Sequence, residues 1–394
     1  VLELLYVQNI RWLAVIRFLT NLSFYSTVMV AFQTQRGLDY TGMFALESII
    51  SAAAFMFEVP TGVSGDRMGF RRLLLVGQGL GFLSLAVYCV SYGFWPFALA
   101  SVLCGVGIAC LSGVESAMVY ESLPCGGRER LAGPAFSLLQ GAGSAGFFLG
   151  LATGSFMGAG DPVVPFYASL IPYGLAFAVT FLLVDVQAPR ERPVGVAQLL
   201  HQAVTVIRAE PGAAGLSLFG SAAFALVNAI YWYNQTAFAA AGIPVAWFGP
   251  LTAVAVGLGA LAAFAAPGAE RHLGRPAALA VSCFIPGAAY LLMAYGGTSP
   301  IAVLAVVGVV AGGAWRSPLL EAELNRRVTD HARATTLSAL SFVGTLAGMA
   351  LNLVVGWLGD QGLAAAAGSM GAALLALGLS VFFLARARVR TQSL

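Results

Sequence analysis

An all-α integral membrane fold of twelve transmembrane helices is predicted by three observations on this sequence. Only 9% of its 394 residues are charged and 59% are hydrophobic, with a mean hydropathy of +0.85. Soluble domains carry about 25% charged residues, so this chain lacks the charge to cover a water-exposed surface. Runs of about twenty apolar residues, long enough to cross a hydrocarbon core of ~30 Å, recur twelve times. Arginine also alternates between the connections: sixteen of the twenty basic residues follow even-numbered spans, and only Arg36 follows an odd one. Short Arg-rich loops stay on the cytoplasmic side, which places both termini in the cytoplasm.

The first six runs lie near residues 9–33, 42–63, 72–92, 96–120, 133–157 and 163–185. The second six lie near 212–239, 246–267, 276–296, 299–322, 334–357 and 362–385. The first run is too long for the apolar part of a signal peptide and reads as a span. Between the two sets comes the longest polar stretch, carrying Pro189, Arg190, Arg192, Pro193, Arg208 and Glu210. It divides the chain into an N-terminal six-helix bundle (1–186), a cytoplasmic linker (187–211) and a C-terminal six-helix bundle (212–394). Within the linker, residues 196–207 are patterned as a short amphipathic helix on the membrane surface. The halves repeat weakly. Gly113 and Glu121 in span four correspond to Gly313 and Glu321 in span ten, and the Gly268–Arg275 loop is a decayed copy of the Gly62–Arg72 segment. The repeat makes the two six-span bundles related, pseudo-symmetric halves.

Several functions are excluded by residue type. Every basic residue is Arg, so the chain has neither a P-loop lysine nor a Schiff-base lysine, and nucleotide binding is not expected. A net charge of +3, spread over separate loops, does not suit nucleic acid. Cys89, Cys104, Cys110, Cys125 and Cys283 are scattered and odd in number, and they read as small hydrophobes rather than disulfides or metal ligands. Gly141, Gly143 and Gly146 spell a dinucleotide-type G-x-G-x-x-G, but inside an apolar span with no preceding strand. Glycines at that density let membrane helices approach closely.

The most specific segment joins spans two and three: Gly62, Asp66, Arg67, Gly69 and Arg71, with Arg72 following. Glycine and arginine suit a tight cytoplasmic turn, but Asp66 needs a further reason, such as a helix N-terminus or guanidinium to face. The spacing resembles the G-x-x-x-D-R-x-G-R-R/K signature of the major facilitator superfamily of secondary transporters, with Phe70 at a usually basic position. Glu58-Val-Pro60-Thr-Gly62 similarly resembles the end of span two in drug-efflux members. The stretches Ser112–Leu123 and Leu324–Thr335 are similar to bacterial efflux-type members. This resemblance implies the major facilitator fold, a bacterial plasma-membrane location, alternating access, and a cytoplasmic gate at Gly62, Asp66, Arg67, Gly69 and Arg71. Two departures from the family pattern bear on proton antiport: Ser101 stands where span four usually carries Arg, and Ser155 follows Gly154 where Pro is usual.

Ionisable residues within spans cost roughly 2.5–3.5 kcal/mol each unless they face protein or water. Arg17, Glu115 and Arg316 fall at similar inner depths, on spans that line the central cavity in the family. Asn21 and Tyr25 extend the Arg17 face, and Asn228, Tyr231 and Gln235 form a face on span seven. With Trp315 these are the substrate-cavity candidates. Ser338, Ser341, Thr345 and Asn352 stripe span eleven. Glu115 and Glu47 are the candidates for proton coupling. Aromatic, weakly polar walls suit a small organic substrate, and two arginines against one carboxylate suit an anionic group on it. The sequence therefore reads as a monomeric, non-enzymatic secondary transporter without cofactor, exporting a small molecule against protons. Proton symport or facilitated uptake is the alternative, and a non-transporting sensor or scaffold the third class.

Overall fold

Lipid offers no partner for backbone amides, so a span must satisfy its hydrogen bonds internally, and helices do this. The computed structural model describes residues 2–124, 128–186, 211–296, 299–327 and 333–392, together with 205 and 208; among them helix dominates and no strand occurs. The predicted amphipathic segment at 196–207 lies almost wholly outside the described residues. Among the described residues ten helices are long and apolar enough to cross a membrane.

The chain forms two compact units, one of Val1–Leu38 with Leu46–Val196 and one of Asp39–Ala45 with Ala197–Leu394. In the first, a short turn α1 (Leu2–Leu5) precedes α2 (Gln8–Asn21), a 3-10 turn at Phe24–Thr27, and α3 (Met29–Gln35). The apolar segment containing α2 and α3 is bent by 59° at this point. Helices α4 (Tyr40–Met68), α5 (Phe70–Val90), α6 (Phe94–Leu111), α7 (Val114–Ser122), α8 (Arg128–Gly158) and α9 (Val164–Thr180) follow.

The bend before α3 is accommodated by α8. Added Cβ atoms at Gly146 and Gly154 would meet the backbone carbonyls of Phe18 and Phe24, and one at Gly150 would meet the backbone of Ser23. The glycines of this apolar span thus let two backbones touch, as small-residue packing in membranes requires.

The Gly62–Arg72 segment differs from the expected tight turn. Helix α4 runs through Pro60 and the glycines to Met68, and the chain reverses at Gly69 alone, with φ 87°. The Thr61 hydroxyl donates to the Phe57 carbonyl at 2.7 Å and the Ala109 carbonyl at 3.1 Å, tying the proline-containing turn to α6. Only one residue must leave helical geometry, and it is the one whose φ demands glycine.

The second unit contains α10 (Pro211–Asn228), α11 (Ile230–Ala240), α12 (Phe248–Leu273), α13 (Arg275–Tyr295), α14 (Ser299–Ala314), α15 (Arg316–Arg327), α16 (Arg333–Asp360) and α17 (Leu363–Gln392). Gly274, preceding α13, takes φ 75° and ψ 152°, nearly the conformation of Gly69 before α5 at 87° and 152°. The decayed loop therefore keeps the backbone of its counterpart. Arg275 pairs with Glu270 and, at 2.7 Å, with Glu323, which ties the ends of α12, α13 and α15 together. The first turn of α4 is grouped with this unit. Backbone N–H groups of Tyr40 and Thr41 donate to the Asp360 carboxylate at 2.8 and 3.1 Å, and Tyr40 stacks on Tyr233 with centroids 5.0 Å apart.

Candidate functional site

Helix α6 stops at Leu111, Gly113 turns the chain with φ 74°, and α7 starts at Val114. Glu115 consequently occupies the first turn of a new helix, where the positive end of the dipole favours a carboxylate. Arg17, from the middle of α2, donates through Nε to Glu115 Oε1 at 2.5 Å. The Arg17 side chain is 48% exposed and that of Glu115 only 14%, so the pair closes one wall of an open cavity rather than a dry core. That cavity, about 460 Å³, is also lined by Ser116 on α7 and by Phe136, Ser137 and Gln140 on α8. One ionic corner, three side chains with hydrogen-bonding groups and an aromatic ring suit a small organic molecule with a polar end.

The sequence pointed to Arg17 and Glu115, and the fold brings them together. Asn21 and Tyr25 use their polar groups elsewhere: Asn21 Nδ2 donates to the Arg17 carbonyl at 2.9 Å, and the Tyr25 hydroxyl meets that of Tyr173 at 3.2 Å. Phe136, Ser137 and Gln140 went unrecognised. Two polar side chains within one turn of an apolar helix were a signal, but the adjoining glycines dominate the pattern of that span.

Glu47 lies two turns into α4, partly buried, with Tyr88 of α5 and Cys104 of α6 as its titratable neighbours. Among the described residues no hydrogen bond or ion pair holds its carboxylate. Gln33 donates through Nε2 to the Tyr88 hydroxyl, and the buried Gln33 Oε1 has no partner. Arg36 is buried nearby in sequence but is well served: its Nη1 reaches the Ser91 carbonyl at 3.2 Å, and the Tyr92 ring lies 4.0 Å from Cζ.

In the second unit α10 and α11 are interrupted at Ala229, directly after Asn228. Gln235 Nε2 points back to the Tyr231 carbonyl at 3.5 Å and is buried, while Tyr231 is partly buried. The neighbouring Asn234 bonds Thr252 at 3.0 Å. On span eleven Thr345 returns its hydroxyl to the Ser341 carbonyl at 3.0 Å, so part of that stripe serves its own helix. Trp315 interrupts α14 and α15, and Arg316 opens α15 with only 3% exposure.

Of the proposed cytoplasmic gate, the side chains of Gly62, Asp66 and Arg67 lie outside those described. Gly69 and Arg71 are engaged within the first unit. The Arg71 N–H donates to Asp185 Oδ1 at 3.3 Å, and Arg71 Nη2 donates to the Phe181 carbonyl at 2.8 Å. Asp185, at the end of the sixth run, therefore caps α5, a role that no local pattern announces. Cys89, Cys104, Cys110 and Cys283 are free thiols, as small hydrophobes would be; Cys125 lies outside the described residues. Among the described residues no group of His, Cys, Asp and Glu is arranged to hold a metal.

The model of the Major Facilitator Superfamily matches residues 11–351. No curated protein sequence matches the chain. Among solved structures, the nucleoside transporter NupG aligns with a TM-score of 0.78 at 14% identity, covering 95% of this chain and 98% of that one. The peptide transporter POT in complex with sulfate aligns at 0.73 and 18% identity, with 96% and 94% covered. The POT family transporter PepTSo aligns at 0.73 and 12% identity, with 96% and 98% covered. At such identities the likeness is one of fold. The family match spans most of the chain, which therefore belongs to the Major Facilitator Superfamily: a non-enzymatic, multi-pass secondary transporter that binds a small molecule within the bilayer.

Proposed function

We propose that this protein is a monomeric, proton-coupled exporter of a small organic, anionic or amphipathic substrate, working by alternating access in a bacterial plasma membrane with both termini in the cytoplasm. Its spans number twelve: the ten long helices, the bent pair through α2 and α3, and the 17-residue α9. They form two six-helix bundles, 1–186 and 212–394, joined by the linker 187–211. Transport draws on the proton gradient and needs no cofactor. The structural neighbours named for nucleosides and peptides share the fold, and the aromatic and hydroxyl-bearing lining of the present cavity suits a partly apolar cargo.

The observation that carries this reading is the Arg17–Glu115 pair at a helix break, on the wall of a cavity large enough for a small organic molecule. A carboxylate held by a guanidinium can exchange that partner for a proton when the site rearranges, which links protonation to the change of state. Glu47, whose carboxylate has no partner among the described residues, is the second carboxylate available for coupling. Gly62, Asp66, Arg67, Gly69 and Arg71 serve as the cytoplasmic gate.

Proteoliposomes with an imposed pH gradient and a trapped pH dye test the coupling. Wild-type protein is expected to move its substrate against the proton flow. Glu115→Gln is expected to abolish gradient-driven accumulation while keeping exchange at zero gradient. Full accumulation by Glu115→Gln removes Glu115 from the coupling step and leaves Glu47. Full accumulation by Glu47→Gln as well refutes proton coupling through either carboxylate.

A further inference from the structure

Arg17 and Arg316 lie inside apolar segments and Arg36 is buried just beyond one; of these, Arg17 and Arg36 are compensated. Arg17 has the Glu115 carboxylate, and Arg36 has the Ser91 carbonyl with aromatic rings on its faces. Arg316 has neither. It is 3% exposed, its Nη1 is buried without a hydrogen-bond partner, and no carboxylate pairs with it among the described residues. The neighbours that the geometry supplies are the Phe224 ring of α10, 5.9 Å from Cζ, and the Cys283 thiol of α13. A ring at that distance offsets only part of a buried charge.

Such a site is costly to keep. A lysine or histidine there could shed its proton, but a guanidinium does not, so the charge persists through the cycle. An uncompensated charge inside a protein costs several kcal/mol, and a well-placed counter-ion recovers much of that. The recovered free energy becomes affinity for whatever anion arrives. Position adds to the effect, because Arg316 is the first residue of the twelve-residue α15, the electropositive end of that helix. A guanidinium fork matches the two oxygens of a carboxylate. The surroundings select further: Trp315, beside it in sequence, is partly buried, and Phe224 presents an exposed ring.

From this geometry we infer that Arg316 is the receptor for the carboxylate of an aromatic organic acid, which completes the unpaired guanidinium at the α14–α15 break. The inference rests on the transport reading only in treating that acid as cargo; the binding itself needs no turnover.

The full-length protein, purified in detergent, is titrated with benzoate, phenylacetate and indole-3-acetate, each beside its neutral amide. Thermal unfolding and tryptophan fluorescence report binding. At least one acid is expected to raise the unfolding temperature saturably while its amide does not. Arg316→Gln is expected to weaken that acid about tenfold or more, the scale of a lost charge-assisted hydrogen bond. Arg316→Lys, which keeps the charge but not the fork, should fall between and replaces Arg316→Gln if the latter does not elute as folded protein. The proposal is overturned if all three acids act no better than their amides. Equal binding by wild type and Arg316→Gln overturns it as well, as does an Arg316-dependent shift produced by added phosphatidylglycerol and by none of the acids. Binding of the acid without its counterflow in proteoliposomes would instead sink the transport reading and leave this site standing.

Discussion

The two units interrupt the same helix in different ways. In the first, the helix breaks at Gly113 and resumes with Glu115, whose charge is met by Arg17 beside an open cavity. In the second, 200 residues on, Gly313 stays inside α14 and Trp315 makes the interruption; Arg316 follows, enclosed and without a carboxylate partner among the described residues. Both units thus carry a backbone discontinuity at this point, with a charge of opposite sign beside it. The break supplies a place in the membrane where polar groups can be held, and the side chains decide which sign of charge is left over for a ligand.

The largest effect should come from leaving one partner of the first unit's pair alone. Glu115→Ala strands Arg17 at the cavity wall, and exchange at zero gradient is expected to fall at least about tenfold, a loss of roughly 1.4 kcal/mol. Glu115→Gln retains a hydrogen-bond acceptor for the guanidinium and should be milder. The double variant Arg17→Ala/Glu115→Ala should lose less than the sum of the single losses, because contacting residues couple by roughly 0.5–3 kcal/mol. Strict additivity in counterflow rates would show that the pair is incidental.

Helix packing sharpens the contrast at a smaller scale. In the first unit a Cβ at Gly146 would meet the Phe18 carbonyl, which is backbone. At Gly344, on α16 of the second, it would meet the Ser221 hydroxyl, a side chain that can rotate. Overpacking costs about 1–3 kcal/mol when the neighbours cannot yield. Gly146→Ala should therefore lower the unfolding midpoint clearly more than Gly344→Ala, by thermal unfolding in detergent. Equal shifts would mean that α8 has room to retreat.

The smallest difference is expected at the paired turns. Gly69 and Gly274 share a positive φ, which costs a side chain roughly 1–2 kcal/mol. A Cβ at Gly69 would also run into the Asp185 carboxylate, whereas among the described residues nothing lies within 4 Å of one at Gly274. Both alanine variants should lose stability, and Gly69→Ala should lose more. An unaltered midpoint for Gly274→Ala would remove the backbone-strain explanation for the retained turn.

Much of this was legible without coordinates. The twenty-residue apolar runs dictate helices because lipid leaves the backbone no other partner. The repeat of Gly113 and Glu121 at Gly313 and Glu321 marks the two interrupted helices. The glycines of the fifth apolar run announce close packing, since small residues have few other uses there. Charged residues inside such runs stand out because each must be justified, and this led to Arg17, Glu115 and Arg316. Less was legible where function is shared between distant segments. Nothing near Asp185 shows that it caps α5, or near Asp360 that it receives the Tyr40 and Thr41 amides; such contacts join residues more than a hundred positions apart. The extension of α4 through Pro60 to Met68 was hidden for a related reason, because the Thr61 hydroxyl bonds a carbonyl of α6 that sequence order does not place beside it.

The sequence by itself determined that the chain crosses a membrane many times, that its Arg-rich loops alternate, and which few ionisable groups are held within the spans. These follow from a local property, the transfer free energy of each stretch between water and hydrocarbon, which needs no knowledge of neighbours. The tertiary structure alone decided that Glu115 is answered by Arg17, that Ser137 and Gln140 share their cavity, and that Arg316 Nη1 is buried without a hydrogen-bond partner among the described residues. Compensation of a charge depends on what lies within a few ångströms, and in this fold those neighbours come from other helices.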